Sequence, residues 1–182
     1  MTTTLRAVQD ACTAHATVDS PLGPILLART ARGLAGAWFD GQKHHPGRLA
    51  APNRPNDPLL VQAAAQLRTY FAGTRREFDL PLDLQGTAFQ RAVWQALCGI
   101  QTGRLSTYGA IAAAIGSASA VRAVGGAVGR NPVSVIVPCH RIIGRDGSLT
   151  GYAGGVARKQ ALLALEGAQP VHPTHAVTQA AA

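Results

Sequence analysis

At 182 residues and 47% hydrophobic, the chain can bury a core as one domain or two small ones, and no apolar run approaches the roughly 20 residues of a membrane span. The opening MTTTLRAVQDACTAHA lacks the apolar centre of a secretion signal, and Cys12, Cys98 and Cys139 stand apart with no CxxC pair. A soluble cytoplasmic protein is expected, without disulfides or a cysteine-rich zinc site. Of the net charge of +8 most lies after Gly86, where eight Lys+Arg face only Asp146 and Glu166. That excess suits a nucleic-acid partner, or a basic surface kept for solubility.

In chain order, HATVDS, PILLART and LAGAWFDG read as antiparallel strands, separated by turns at 21–24 and 31–33. Residues 41–58 form a loop rich in Pro, Gly and charge. The next segment, DPLLVQAAAQLRTYFAG, predicts a helix capped by Asp57, with Pro58 at its first position and Gly73 as its stop. Leu60, Ala64, Leu67 and Phe71 share one face of it. EFDLPLDLQG alternates and predicts a short strand, with Pro81 near an edge.

Beyond Gly86 the pattern is helical. TAFQRAVWQALCGI caps on Thr87 and carries Phe89, Val93, Leu97 and Ile100 in one stripe, with Cys98 beside it as a buried structural thiol. TYGAIAAAIG caps on Thr107. SASAVRAVGGAVG caps on Ser117 or Ser119, and the two together have the spacing of a helix-turn-helix. The second helix carries Arg122 as its one charge, and Gly125 and Gly126 cost it about 1 kcal/mol each. Such a helix packs tightly on a neighbour or presses into a groove. It has too few polar side chains to read base edges, so minor-groove or shape-based contact fits it better. GVARKQALLALEG predicts the last helix, stopped by Gly167. The tail AQPVHPTHAVTQAAA is expected to be disordered, with His172 and His175 holding no metal.

NPVSVIVPCHRIIG decides the chemistry. Residues 133–137 read as a buried strand leading through Pro138 into Cys139 and His140. Apolar burial keeps a thiol inert, whereas an adjacent base activates it. Neighbours in an extended chain point to opposite faces, so the pair needs a turn or a bridging water to meet. The base also needs an orienting carboxylate. Asp146 lies in a turn and Glu166 ends an apolar helix; Glu166 is preferred, because a buried imidazole and carboxylate satisfy each other.

PCHRI, preceded by AVRAVGGAVGRNP and followed by GYAGG and LLALEG, resembles the O6-alkylguanine-DNA alkyltransferase family over about residues 87–167. The resemblance implies an α/β (α+β) chain in three parts. Residues 1–86 would form a small ribonuclease H-like domain of antiparallel sheet plus helix. Residues 87–168 would form a mainly helical, winged-helix-like domain with DNA-binding and active sites, and 169–182 the tail. It implies a monomer that binds double-stranded DNA from the minor groove without cofactor or metal. Cys139 would take the alkyl group of O6-alkylguanine irreversibly and once, with O4-alkylthymine a second candidate substrate.

By the same resemblance His140, through a water, and Glu166 would generate the thiolate, and Tyr108 would protonate the departing guanine. Asn131 would tie down the turn. Arg122 would fill the space of the extruded base, with Val121, Ala123 and Gly125 along the minor groove. Ile142, Tyr152 and Ala153 would join Cys139 in the guanine pocket. Extrusion is needed because a buried thiol cannot reach a stacked base. Ala153 departs from the serine of some members, and the order Gly129–Arg130 is reversed in some. The rival readings are an alkylated-DNA-binding protein or a helix-turn-helix regulator without transferase chemistry, and a Cys–His hydrolase.

Overall fold

A computed structural model describes residues 3–149 and 151–168. The expected tail, with His172 and His175, lies outside the described residues. Its first element, helix α1 (Thr3–Ala11), was not anticipated. Three antiparallel strands follow, β1 (Ala14–Val18), β2 (Ile25–Arg29) and β3 (Leu34–Phe39), in the order β1-β2-β3. Every residue of β3 is buried because both of its faces are covered. Leu34, Ala37 and Phe39 face the main core, and Ala35 and Trp38 join Val8 of α1 and Leu49 beneath the sheet. An irregularity between Ala28 and Arg29 accommodates the switch of faces along β3. Gly36 is required there, since a Cβ would meet the Trp38 ring at 1.9 Å.

Helix α2 (Pro58–Phe71) begins as expected, with Asp57 accepting from the Leu59 and Leu60 N–H groups. Its buried face is Leu60, Ala63, Leu67 and Tyr70, turned from the predicted stripe, so that Ala64 and Phe71 lie at its margin. The strand expected over 77–86 does not form. Pro81 has no N–H to donate, and a single bridge, Leu34 to Leu82, holds the segment along β3.

Helix α3 (Ala88–Cys98) starts on a reciprocal capping box between Thr87 and Gln90. It buries Val93, Trp94 and Leu97, and Trp94 Nε1 donates to Ala127 O at 2.9 Å, fastening α3 to the helix that contains Ala127. Cys98 is exposed, contrary to expectation. One residue past Leu97, it has rotated off the buried stripe into a cleft beside Leu80 and Pro138. After β4 (Ser106–Thr107), helix α4 (Tyr108–Ala114) caps on Thr107 as expected. Helix α5 (Val121–Val128) does not cap on either serine: Ala120 is its N-cap without a side-chain bond, because the Ser117 carbonyl closes the preceding turn onto Ala120 N.

Residues 133–137 are buried as predicted but form no strand. Val133 makes one parallel bridge with Ala37 of β3, after which the chain turns tightly, with Val135 at φ 72°. A β-branched residue at positive φ is strained, and it persists here because its neighbours are held on both sides. A 3-10 turn (Cys139–Arg141) and strand β5 (Ile142–Ile143), parallel to β4, follow. Helix α6 (Val156–Leu165) ends the described chain. One hydrophobic cluster runs through both halves, from Leu27 and Tyr70 to Trp94, Val124, Ile142 and Leu162. Among the described residues no helix is long and apolar enough to cross a membrane.

Candidate active site

Cys139 and His140 stand on a 3-10 turn (Cys139–Arg141) and not on an extended chain, so their side chains point about 120° apart rather than to opposite faces. Asn131 holds the approach to it. Its Nδ2 donates to Val137 O (2.8 Å), Val133 O (3.3 Å) and Cys139 Sγ (3.0 Å), and its Oδ1 accepts from Val133 N (3.0 Å). One side chain thus closes the turn and contacts the sulfur. Cys139 is 4% exposed. Burial pushes its thiol up to about 11, against the opposing effects of the Asn131 bond and the charge of Lys159.

His140 is fully buried, and its Nε2 lies 2.9 Å from Glu166 Oε1. Burial depresses the imidazole pKa, with the carboxylate pulling the other way, so the ring is neutral near pH 7. Burial works against the Glu166 charge, yet bonds from His140 and Arg141 outweigh it and hold its carboxyl far below the usual range. An ionised carboxylate only accepts, so Nε2 carries the imidazole proton and Nδ1 presents its lone pair. Nδ1 is buried and makes no hydrogen bond within the protein. It is the one atom of the pair free to act as a base.

Two residues that sequence reasoning missed complete the carboxylate's shell. Arg141 donates from Nε (2.9 Å) and Nη2 (2.7 Å), and Tyr70 donates its hydroxyl at 2.8 Å. Arg141 was legible in principle, because a buried cation beside His140 needs an acid and only two acids follow Gly86. Tyr70 lies 96 residues from Glu166 and left no local signal. Lys159 is a third omission. It is fully buried, its Nζ bonds Ile142 O, and burial lowers its pKa to about 8, the Cys139 charge acting in the opposite sense. Helical spacing puts Lys159, Leu162, Leu163 and Glu166 on one face, which is the signal that was overlooked.

Of the predicted pocket residues, Tyr152 lies near the thiol. Ile142 and Tyr152 are buried, and the Tyr152 phenol is raised well above its usual pKa by burial and then by the neighbouring thiol. Ala153 is half-buried on the loop before α6. Tyr108 packs its ring over Gly125, and a Cβ at Gly151 would sit 3.1 Å from its hydroxyl, so it stands between α5 and the loop at 151–155. Arg122, Val121 and Ala123 lie exposed on the outer face of α5, away from the buried Val124, Ala127 and Val128. Arg130 bonds Gly126 O at 2.9 Å, against its own helix end. Among the described residues no cluster of His, Cys, Asp and Glu could hold a metal ion.

A helical domain with an exposed small-residue helix, joined to a buried Cys beside a His–Glu pair, has the make-up of a DNA-binding protein that carries a thiol site. Comparison with known proteins narrows the class. Residues 14–84 match the ribonuclease-like domain of 6-O-methylguanine DNA methyltransferase, and residues 88–168 match its DNA binding domain. The chain belongs to this family. It is 48% identical to the methylated-DNA–protein-cysteine methyltransferase of Mycobacterium tuberculosis, over 84% of this chain and 91% of that one. The namesake of Methanosarcina barkeri is also 48% identical, over 82% and 94%. The crystal structure of Mycobacterium tuberculosis OGT in complex with DNA superposes with a TM-score of 0.80 at 46% identity, covering 85% of this chain and 93% of that one.

Proposed function

We propose that the protein repairs DNA by transferring the alkyl group of O6-alkylguanine directly, irreversibly and stoichiometrically to Cys139. The observation that carries this reading is the placement of a buried thiol, bonded by Asn131, beside a neutral His140 whose Nε2–H is committed to Glu166. His140 Nδ1 takes the thiol proton through a bridging water. The sulfur lone pair forms the S–C bond as the C–O6 bond breaks, and the departing electron pair goes to the guanine. Tyr108 supplies a proton to the ring, and the resulting thioether ends the protein's single turnover.

Burial of Cys139 requires the base to leave the helix. Arg122, the one long side chain on the exposed face of α5, occupies the space left behind, while Val121, Ala123 and Gly125 approach the minor groove. Ile142, Tyr152 and Ala153 receive the guanine. The protein acts as a monomer in the cytoplasm on double-stranded DNA, without cofactor. The test is peptide mass spectrometry after incubation with duplex DNA carrying O6-methylguanine. The peptide containing Cys139 is expected to gain the mass of one CH2; no adduct, or an adduct on Cys98, would overturn the assignment.

A further inference from the structure

The end of β3 and the residues just after it are bonded both to the turn at 131–138 and to the loop at 151–155 that carries Tyr152. Gln42, buried at 6% exposure, folds its side chain back so that Oε1 accepts from Phe39 N at 2.9 Å. The same oxygen accepts from Ser134 Oγ at 3.1 Å, on the turn leading to Cys139. Two backbone bonds run beside that contact, Ser134 N to Ala37 O (2.8 Å) and Ala37 N to Pro132 O (2.9 Å). The turn is thereby held on β3 at three points.

One residue further along, Lys43 N donates to Ala153 O at 2.9 Å, on the opposite wall. Arg158 of α6 strengthens that side. Its guanidinium stacks 4.8 Å from the Phe39 ring centre and donates to Leu22 O (2.9 Å), Asp40 O (3.1 Å) and Gly154 O (3.2 Å). Residues 39–43 therefore join the turn at 131–138 to the loop at 151–155. Between the two walls the Tyr152 hydroxyl is buried beside Ser134, short of hydrogen-bond geometry.

We infer that Gln42 is a positioning residue for the guanine pocket: it fixes the Ser134 hydroxyl, and with it the wall against which Tyr152 rests, so the N-terminal sheet sets the pocket's width. The inference rests on the alkyl-transfer reading above and assigns a role there to a residue that touches no reacting atom. Gln42 Oε1 satisfies two buried donors at once, and removing it leaves both without a partner. The Ser134 hydroxyl is then free to turn toward Tyr152, and the wall keeps only its two backbone bonds to β3.

The experiment measures Cys139 alkylation by free O6-benzylguanine across a range of concentrations, separating the half-saturating concentration from the limiting rate. Gln42→Met, Ser134→Ala and the double variant are compared with the unaltered protein, with thermal midpoints recorded alongside. Gln42→Met and Ser134→Ala are each expected to raise the half-saturating concentration about tenfold, the size of one lost buried hydrogen bond, with the limiting rate little changed. The double variant is expected to be no worse than Gln42→Met, because the two groups act through one bond. Gln42→Glu keeps an acceptor oxygen and is expected to restore most of the binding.

A lowered thermal midpoint with an unmoved half-saturating concentration would show Gln42 to be merely structural and would overturn the inference. Additive effects in the double variant would do the same. If the unaltered protein takes no benzyl group at all, the alkyl-transfer reading fails with it. If that protein reacts and the variants match it, only the role of Gln42 is lost.

Discussion

Asn131 shows how much one side chain can decide. Four hydrogen bonds converge on its amide, three from Nδ2 and one to Oδ1, and they set both the turn at 133–137 and the environment of the sulfur. Asn131→Ala leaves Val133 N–H buried without its partner, and Val137 O keeps only its bond from Cys139 N. It is expected to destabilise the fold by roughly 3 kcal/mol in urea unfolding and to slow alkyl transfer. Asn131→Asp is the sharper probe. It retains the acceptor for Val133 N but sets a carboxylate oxygen against the sulfur in place of a donor, disfavouring the thiolate. It is expected to lose more transfer rate than stability, read as the single-turnover rate against the urea midpoint.

At the scale of elements, α6 delivers Glu166 from its C-terminus into a shell built by α2, the 3-10 turn and the segment before β4. Two of these groups govern acid stability with the same sign. His140 has a folded pKa depressed below its ordinary 6.5, so the unfolded chain binds the extra proton and stability falls as pH drops below about 6.5. Glu166 is depressed below its ordinary 4.5, so its contribution is complete above that value and is lost progressively as pH falls toward the depressed one. Thermal midpoints are therefore expected to decline in two stages on acidification, with Glu166→Gln blunting the lower stage. Helix α5 carries a different expectation. Arg122→Ala should slow transfer from duplex DNA far more than from free O6-benzylguanine, because only the duplex requires a base to be displaced. Equal slowing of both would contradict that role.

For the whole molecule, the change of texture at Gly86 is not an energetic boundary. Ala37 of β3 pairs with Val133, Tyr70 of α2 binds Glu166, and Gln42 binds Ser134, while one hydrophobic cluster runs beneath all three contacts. Calorimetry is expected to record a single cooperative unfolding transition; two separated transitions would contradict the shared core. The positive excess after Gly86 acts over the whole surface. DNA affinity is expected to fall steeply with salt, with a slope of about −0.9 per phosphate neutralised, and to show weak sequence preference.

What the sequence alone determined was local. The Thr87 and Thr107 caps, the Asp57–Pro58 start of α2, the three strands and the Cys139–His140 pair are set by residues within a few positions of one another. Glu166 was found because so few acids could serve. Where sequence reasoning failed, long-range contacts had overridden local preference. Residues 133–137 have the composition of a strand, but β3 accepts only Val133, and the bonds from Asn131 hold Val135 in a conformation that no propensity favours. Tyr70, Gln42 and Ser134 become site residues only when the two halves close on each other. A thiol's partners are decided by what the tertiary fold brings beside it, and periodicity along the chain keeps no record of that.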